Sequence, residues 1–169
     1  TQLSLFSNQL TTLPESIGNL TNLRQLNIDM NQLTTLPENF GSLDSLKWLI
    51  LGRDSSPFDN NPLTTLPESF GSLISLIELE LNNTQLNLLP ESIGNLINLK
   101  WLQLNNNQLT NLTALNVNLT LSEPVELNLD GLPIASTSTA NITLMLTIEG
   151  TNNFMLTAQD TDSDAILGL

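Results

Sequence analysis

Carboxylates are the side chains of this sequence with the chemistry for acid–base catalysis or metal binding. The 169 residues include 17 Asp and Glu but no His, Cys or Tyr. Without His or Cys, the chain cannot build a Ser-His-Asp triad, a catalytic thiol or an ordinary zinc site, and it forms no disulfides. Carboxylate pairs such as Glu78 and Glu80 are the remaining candidates for acid–base catalysis. With no His or Cys beside them, we predict that the protein is not an enzyme.

Three acids near the end of the sequence have the spacing of a calcium loop. Asp160, Asp162 and Asp164 form the D-x-D-x-D opening, in which alternate side chains ligate the ion. Such a loop has Gly at its sixth position and Glu at its twelfth, whereas this sequence has Ala165 and no later Glu. We therefore predict a solvated acidic segment and no cofactor, with calcium as the alternative.

The charge balance excludes several classes of partner. Four Lys and Arg residues stand against the 17 acids, which gives a net charge of −13. Nucleic acids and anionic membrane surfaces both require basic side chains for binding. No apolar run approaches the roughly 18–20 residues of a membrane span. We predict neither nucleic-acid binding nor membrane insertion.

A repeat of 23 residues determines where these side chains lie. Residues 3–23 read LSLFSNQLTTLPESIGNLTNL and residues 26–46 read LNIDMNQLTTLPENFGSLDSL, and the pattern starts again at Leu49, Leu79 and Leu102. In L-x-L, alternate side chains point to opposite faces of a short strand, so stacked coils form a parallel sheet over a Leu core. We expect the Asn of each repeat to hydrogen-bond backbone groups where the chain leaves the strand, with Thr84 as its substitute in the fourth repeat. We expect a short outer helix to begin at each L-P-E, with its Glu in a scaffolding role.

The pattern L-P-x-x-(I/F)-G-x-L-x-x-L closely resembles the leucine-rich repeat family in its 23-residue form. The resemblance covers residues 1–112, about 4.5 coils, with an insertion at 52–60 that makes one repeat seven residues longer. It implies an α/β solenoid, in which a leucine-rich repeat array carries a parallel β-sheet on its concave face. It also implies a scaffold that binds other proteins.

Residues 113–169 follow a different pattern, because apolar residues now alternate with period two. The alternation predicts a β-rich C-terminal segment of four strands in two hairpins, one of which contains Val125, Leu127 and Leu129. Two interpretations remain open for this tail. It is either a β cap on the last coil or part of a separate β module that joins the chain to others.

Repeat alignment assigns the outward-facing strand residues to three rows on the concave sheet. The first row is Gln2, Gln25, Trp48, Glu78 and Trp101; the second is Ser4, Asn27, Ile50, Glu80 and Gln103; the third is Phe6, Asp29, Gly52, Asn82 and Asn105. Large aromatic side chains on a solvent-facing sheet are typical of binding hot spots. We predict a partner site centred on Trp48, Ile50 and Trp101; the alternative is that the two Trp side chains only cover neighbouring apolar surface.

Basic residues form a row beside the two tryptophans, and the insertion adds an aromatic residue. Arg24, Lys47 and Lys100 share one repeat position, and Phe58 lies within the insertion. A basic row favours an acidic partner, such as another copy of this chain; alternatively these charges only offset the acidic excess. Phe58 is a further candidate for the binding surface, or part of an insertion that the coil edge merely tolerates.

Taken together, these features predict non-catalytic protein recognition or adhesion through the concave face. The alternative is a structural subunit of a head-to-tail filament or surface layer, in which the N-terminal coil of one copy docks on the β tail of the next. Few Lys, many Asn, Thr and Ser, and no Cys suit a secreted protein or one on the surface of a microbe.

Overall fold

A computed structural model describes residues 1–53 and 60–109, together with the backbone of Glu126–Asn128. Its strands are short, run parallel and lie side by side in chain order within one sheet. They are β1 (Gln2–Ser4), β2 (Gln25–Asn27), β3 (Trp48–Gly52), β4 (Glu78–Leu81), β5 (Trp101–Gln103) and β6 (Glu126–Asn128). This order confirms the predicted repeat array, because each turn of the solenoid adds one strand.

The outer side of the array consists of single turns of 3₁₀ helix rather than α-helix. They span Glu15–Asn19, Glu38–Ser42, Glu68–Ser72 and Glu91–Asn95. In the first, the amide of Ile17 donates to the carbonyl of Pro14 at 3.0 Å, an i to i+3 bond that suits so short a helix. Pro14 itself is extended (φ −72°, ψ 150°) and precedes the turn, so Glu15 is the first helical residue. None of the described helices is long and apolar enough to cross a membrane.

The core lies between the sheet and the outer turns. Both apolar residues of each described L-x-L motif, which reads L-x-I in the second coil, point into it, and from the second to the fifth coil they are almost wholly buried. The rings of Phe40 and Phe70 stack in adjacent coils, with centroids 6.0 Å apart and planes within 1° of parallel. Each coil therefore buries apolar surface mainly against its two neighbours, as expected for a solenoid.

Buried asparagine side chains join successive coils where the chain leaves each strand. The Asn61 Nδ2 donates to the carbonyls of Ile28 (3.0 Å) and Leu51 (2.7 Å), and its Oδ1 accepts from the amide of Leu33 (3.0 Å). Ile28 and Leu33 belong to the preceding coil, so one side chain bonds two coils. The same arrangement recurs at Asn31 and Asn107. The predicted role of the Asn column is confirmed.

The junction between the third and fourth coils departs from this pattern. Thr84 Oγ1 lies 2.9 Å from Leu81 O and 2.8 Å from Asn107 Oδ1, two acceptors that share its single hydrogen, and neither group belongs to the preceding coil. In that coil, the amide of Leu63 donates instead to its own neighbour, Asn61 O, at 2.8 Å. The register between β3 and β4 also shifts between Ile50 and Gly52. The longer repeat leads into this junction, where the hydrogen bonds and the strand register differ from those between the other coils.

The strand β6 extends the sheet beyond the predicted end of the repeats. It pairs parallel with β5, with Leu127 opposite Leu102. Leu127 follows Leu102 by 25 residues, close to the repeat length, although the Pro and Gly of the consensus are missing. The period-two alternation predicts a hairpin strand here, whereas the strand pairs parallel with the last coil. The rest of the tail lies outside the described residues, so the choice between a cap and a module stays a prediction.

Candidate functional site

Strand pairing brings the first two predicted rows together on the concave face. Trp48 pairs with Glu78, which in turn pairs with Trp101, while Ile50 pairs with Glu80 one step along the strands. Trp101 is 41% exposed, and the other four residues are partly exposed. We call this surface, made of Trp48, Ile50, Glu78, Glu80 and Trp101, the tryptophan face. The structure thus places the three predicted central residues on one surface, with acidic side chains among them.

The third predicted row does not face solvent, and this expectation is wrong. Asp29, Asn82 and Asn105 are at most 4% exposed, whereas Phe6 in the first coil is 43% exposed. Asn82 Nδ2 donates to Gln103 Oε1 (2.8 Å), and its Oδ1 accepts from the amide of Asn105 (2.9 Å).

The cause of this burial is the turn that follows each strand. The residue after each of these polar side chains has a left-handed backbone, with φ of 55° at Met30 and Asn83 and 54° at Asn106. β2, β4 and β5 end before this row, at Asn27, Leu81 and Gln103, so the simple alternation of faces no longer applies to it. Asp29, Asn82 and Asn105 are short polar residues that recur at one repeat position. This recurrence is the sequence signal for a second column of buried polar side chains beside the Asn column.

An ion pair that the sequence analysis did not anticipate lies on the tryptophan face. Arg53 Nε is 3.2 Å from Glu80 Oε2, and the Glu80 side chain is only 14% exposed. Burial raises the pKa of Glu80; Arg53 opposes this rise, and the neighbouring Glu78 adds to it. Arg53 opens the insertion, so the longer repeat contributes a basic side chain to the concave surface.

The predicted basic row also forms. Its residues lie at the N-terminal ends of the strands, one position before the row that contains the tryptophans. The amide of Lys47 donates to Arg24 O (2.9 Å), that of Ile77 to Lys47 O (2.9 Å), and that of Lys100 to Ile77 O (2.8 Å). This backbone ladder aligns the three basic residues across successive coils, and Arg24 is exposed. The row borders the tryptophan face on one side. Phe58 lies outside the described residues.

The remaining acids give no metal site within the described part of the chain. No group of three or more Asp and Glu residues within residues 1–53 and 60–109 is arranged to hold a metal ion. Glu15 Oε2 accepts a hydrogen bond from the amide of Asn39 in the next coil (2.9 Å), which supports its scaffolding role. The calcium candidate Asp160, Asp162 and Asp164 lies outside the described residues.

Asp29 is a buried acid with a measurable consequence for stability. Its Oδ1 accepts from the amide of Met30 at 2.8 Å, while its Oδ2 has no hydrogen-bond partner among the described residues. Burial raises the pKa of Asp29, and the Met30 amide and Arg53 only partly oppose this. The charged form is therefore less favourable in the folded chain than in the unfolded one, so this group destabilises the fold at neutral pH.

We expect Asp29→Asn to raise the free energy of unfolding at pH 7. The gain should shrink as the pH falls through the raised pKa and level off below 3.8, the ordinary value of Asp, where the wild-type carboxyl is neutral in both states. Urea unfolding at a series of pH values measures this difference. Asp44→Asn, at an exposed position, is the control for the change in net charge. A less stable Asp29→Asn variant at pH 7 would contradict this account.

Comparisons with known proteins agree with the architecture. The family model described as Leucine Rich Repeat matches residues 1–20 and 22–43. A leucine-rich repeat protein from Leptospira interrogans is 30% identical, with a TM-score of 0.60, over 74% of this chain and 30% of that one. An internalin from Listeria monocytogenes is 27% identical, with a TM-score of 0.62, over 78% of this chain and 34% of that one.

A plant structure extends the similarity beyond bacteria. The repeat ectodomain of the membrane receptor kinase GASSHO1/SCHENGEN3 from Arabidopsis thaliana, solved in complex with Casparian strip integrity factor 2, is 30% identical, with a TM-score of 0.58. The match covers 78% of this chain and 16% of that one. This chain therefore spans 34% or less of the length of the three structures. The comparison with curated proteins finds no match.

Proposed function

We propose that this chain, a leucine-rich repeat protein, recognises another protein through the concave face of its array without catalysing a reaction. Leucine-rich repeat domains are typically protein-binding modules and are usually non-catalytic. The observation that carries the proposal is the exposure of both tryptophans of the chain on one sheet surface, with Ile50 beside Trp48.

The distribution of apolar side chains along the sheet supports this site. In the two outward rows, β1 and β2 carry only Gln, Ser and Asn, whereas β3 and β5 carry the tryptophans and Ile50. Buried aromatic anchors supply much of the binding energy in protein interfaces. A hydrogen-bonded sheet holds these anchors in place before binding, which reduces the entropy lost on association. The concave face therefore combines an apolar centre with a rigid support.

The comparisons support the same kind of role and suggest a location. The plant receptor ectodomain was solved in complex with another factor, so a relative of this fold holds a partner. Two of the similar structures come from bacteria, and the third is the ectodomain of a membrane receptor. We extend the proposal to a protein that acts outside the cell or on the surface of a microbe. The basic row Arg24, Lys47 and Lys100, and Phe58 of the insertion, are proposed to contribute at the border of the binding surface.

The double variant Trp48→Ala/Trp101→Ala should lose partner binding. Ligands are obtained by selecting a displayed peptide library on the immobilised wild-type chain, and affinities are then measured by calorimetry. Two hot-spot side chains, at about 2 kcal/mol each, predict a loss of at least about 100-fold. The control is Ile74→Ala/Ile97→Ala, which removes two side chains that are 52% and 56% exposed and follow the outer turns. Ligands that bind the tryptophan variant as tightly as wild type would refute the proposal.

Self-assembly is a second candidate, which the first coil favours. Leu3, Leu5, Leu10 and Leu13 are only partly buried against the core, and Phe6 and Leu20 are 43% and 42% exposed. In this second proposal, these apolar side chains contact the next copy of the chain in a head-to-tail assembly. Light scattering over a wide range of protein concentration tests it: a mass that climbs without a plateau supports assembly, and a fixed mass near one chain sinks it. Assembly should survive the tryptophan variants and fail on deletion of residues 113–169.

A further inference from the structure

We propose that the tryptophan face recognises an arginine side chain of the partner, held between Trp48 and Trp101 above the carboxylate of Glu78. The inference rests on the proposed function and specifies the chemistry that the site selects. A guanidinium group is planar, stacks on aromatic rings and forms paired hydrogen bonds with a carboxylate. The tryptophan face supplies both kinds of contact.

The register of the sheet fixes the positions of the three side chains. Glu78 pairs with Trp48 on one side and with Trp101 on the other, so an acid stands between two indoles in one row. Neighbouring strands are about 4.7–4.9 Å apart, which separates the two tryptophan positions by roughly 9–10 Å. A planar group stacked between two rings needs a ring separation of roughly 7–8 Å, since each face-to-face contact takes roughly 3.5–4 Å. The register therefore places two indoles on either side of one acid, at backbone positions slightly farther apart than a sandwiched planar group requires.

The charges on this face favour a cationic occupant. Arg53 forms the described ion pair with Glu80, and the described residues give Glu78 no basic partner within ion-pair distance. Glu78 also raises the pKa of Glu80, through charge repulsion and through a side-chain hydrogen bond, so the two carboxyl groups lie close together. A cation above Glu78 would relieve this repulsion and gain cation–π attraction from both indoles. With a net charge of −13, the chain also attracts basic partners over a longer range.

Tryptophan fluorescence of the full chain tests the proposal directly, because the chain has two Trp residues and no Tyr. The probe is acetyl-arginine methylamide, titrated at constant ionic strength against its neutral citrulline counterpart and its lysine counterpart. We expect a saturable change in emission, with a dissociation constant in the millimolar range for so small a ligand. Citrulline should bind at least about tenfold more weakly and lysine measurably more weakly than arginine, because neither combines planarity with charge.

The variant Glu78→Gln should weaken binding of the arginine probe at least about fivefold, because it removes the charge-assisted hydrogen bonds. Its control is Glu91→Gln, the same substitution at an exposed position on the outer turn. The proposal fails if the probe produces no saturable change, if citrulline or lysine binds as tightly as arginine, or if Glu78→Gln binds like wild type.

The peptide selection separates failure of this inference from failure of the proposed function. Selected peptides that depend on the tryptophans but lack arginine would overturn the arginine site and leave protein recognition standing. Selected peptides that bind independently of the tryptophans would overturn the proposed function. Enrichment of arginine, lost in selections on Glu78→Gln but kept on Glu91→Gln, is the result expected here.

Discussion

Replacing Asn61 by alanine should lower the free energy of unfolding by about 4 kcal/mol, because the Leu51 carbonyl and the Leu33 amide lose their buried partner, while the Ile28 carbonyl keeps its bond from Asn31. The carbonyls of Ile28 and Leu51 and the amide of Leu33 all bond this side chain, which is wholly buried. A buried polar group without a partner costs roughly 1–3 kcal/mol. The loss should be visible as a lower urea midpoint with an unchanged slope, followed by tryptophan fluorescence.

The control for this prediction is Asn8→Ala, the same change at the same repeat position in the first coil. Asn8 is exposed and donates only to Leu5 O (2.9 Å) and Phe6 O (3.2 Å), both within its own coil. It should cost no more than about 1 kcal/mol, since water can replace an exposed hydrogen bond. Similar losses for the two variants would mean that bonds between coils contribute little, contrary to the solenoid energetics described above.

The Asn column also shows why so much of the fold was predictable from sequence. A feature that recurs every 23 residues occupies the same place in every coil, so the Leu core, the Asn contacts and the first two concave rows followed from alignment alone. Each coil packs against neighbours of similar sequence. Residues at the same repeat position therefore have the same surroundings and take the same structure.

The features that sequence reasoning missed are those that break the repeat or the alternation of faces. Arg53 comes from the insertion, which has no counterpart in other coils, so its ion pair with Glu80 has no repeated signal. The alternation predicts a solvent-facing Asp29, but this residue lies two positions beyond the end of β2, in a turn with a left-handed residue at Met30. The strand β6 was assigned to a hairpin because its coil lacks the consensus Pro and Gly.

Gly41→Ala should also strongly destabilise the array, by about 3 kcal/mol, because the outer turns approach each other too closely for a side chain. A Cβ added at Gly41 would lie 2.0 Å from the carbonyl oxygen of Ser69 and 2.6 Å from its carbonyl carbon, both in the backbone of the next coil. Neither atom can move without displacing the coil itself. The backbone of Gly41 is not left-handed, so Gly is required here by the distance between coils rather than by its φ angle.

The control for Gly41→Ala is Ser42→Ala, at the next residue of the same outer turn, where the side chain is exposed. It should change the free energy of unfolding by less than about 0.5 kcal/mol. A coil pushed outward at its convex edge must also tilt against its neighbour at the sheet, so Gly41→Ala should shift the emission of Trp48 in the folded state as well as the urea midpoint. A Gly41→Ala variant as stable as Ser42→Ala would mean that the outer turns can separate without cost, and that stacking of the sheet and Leu core alone sets the spacing of the coils.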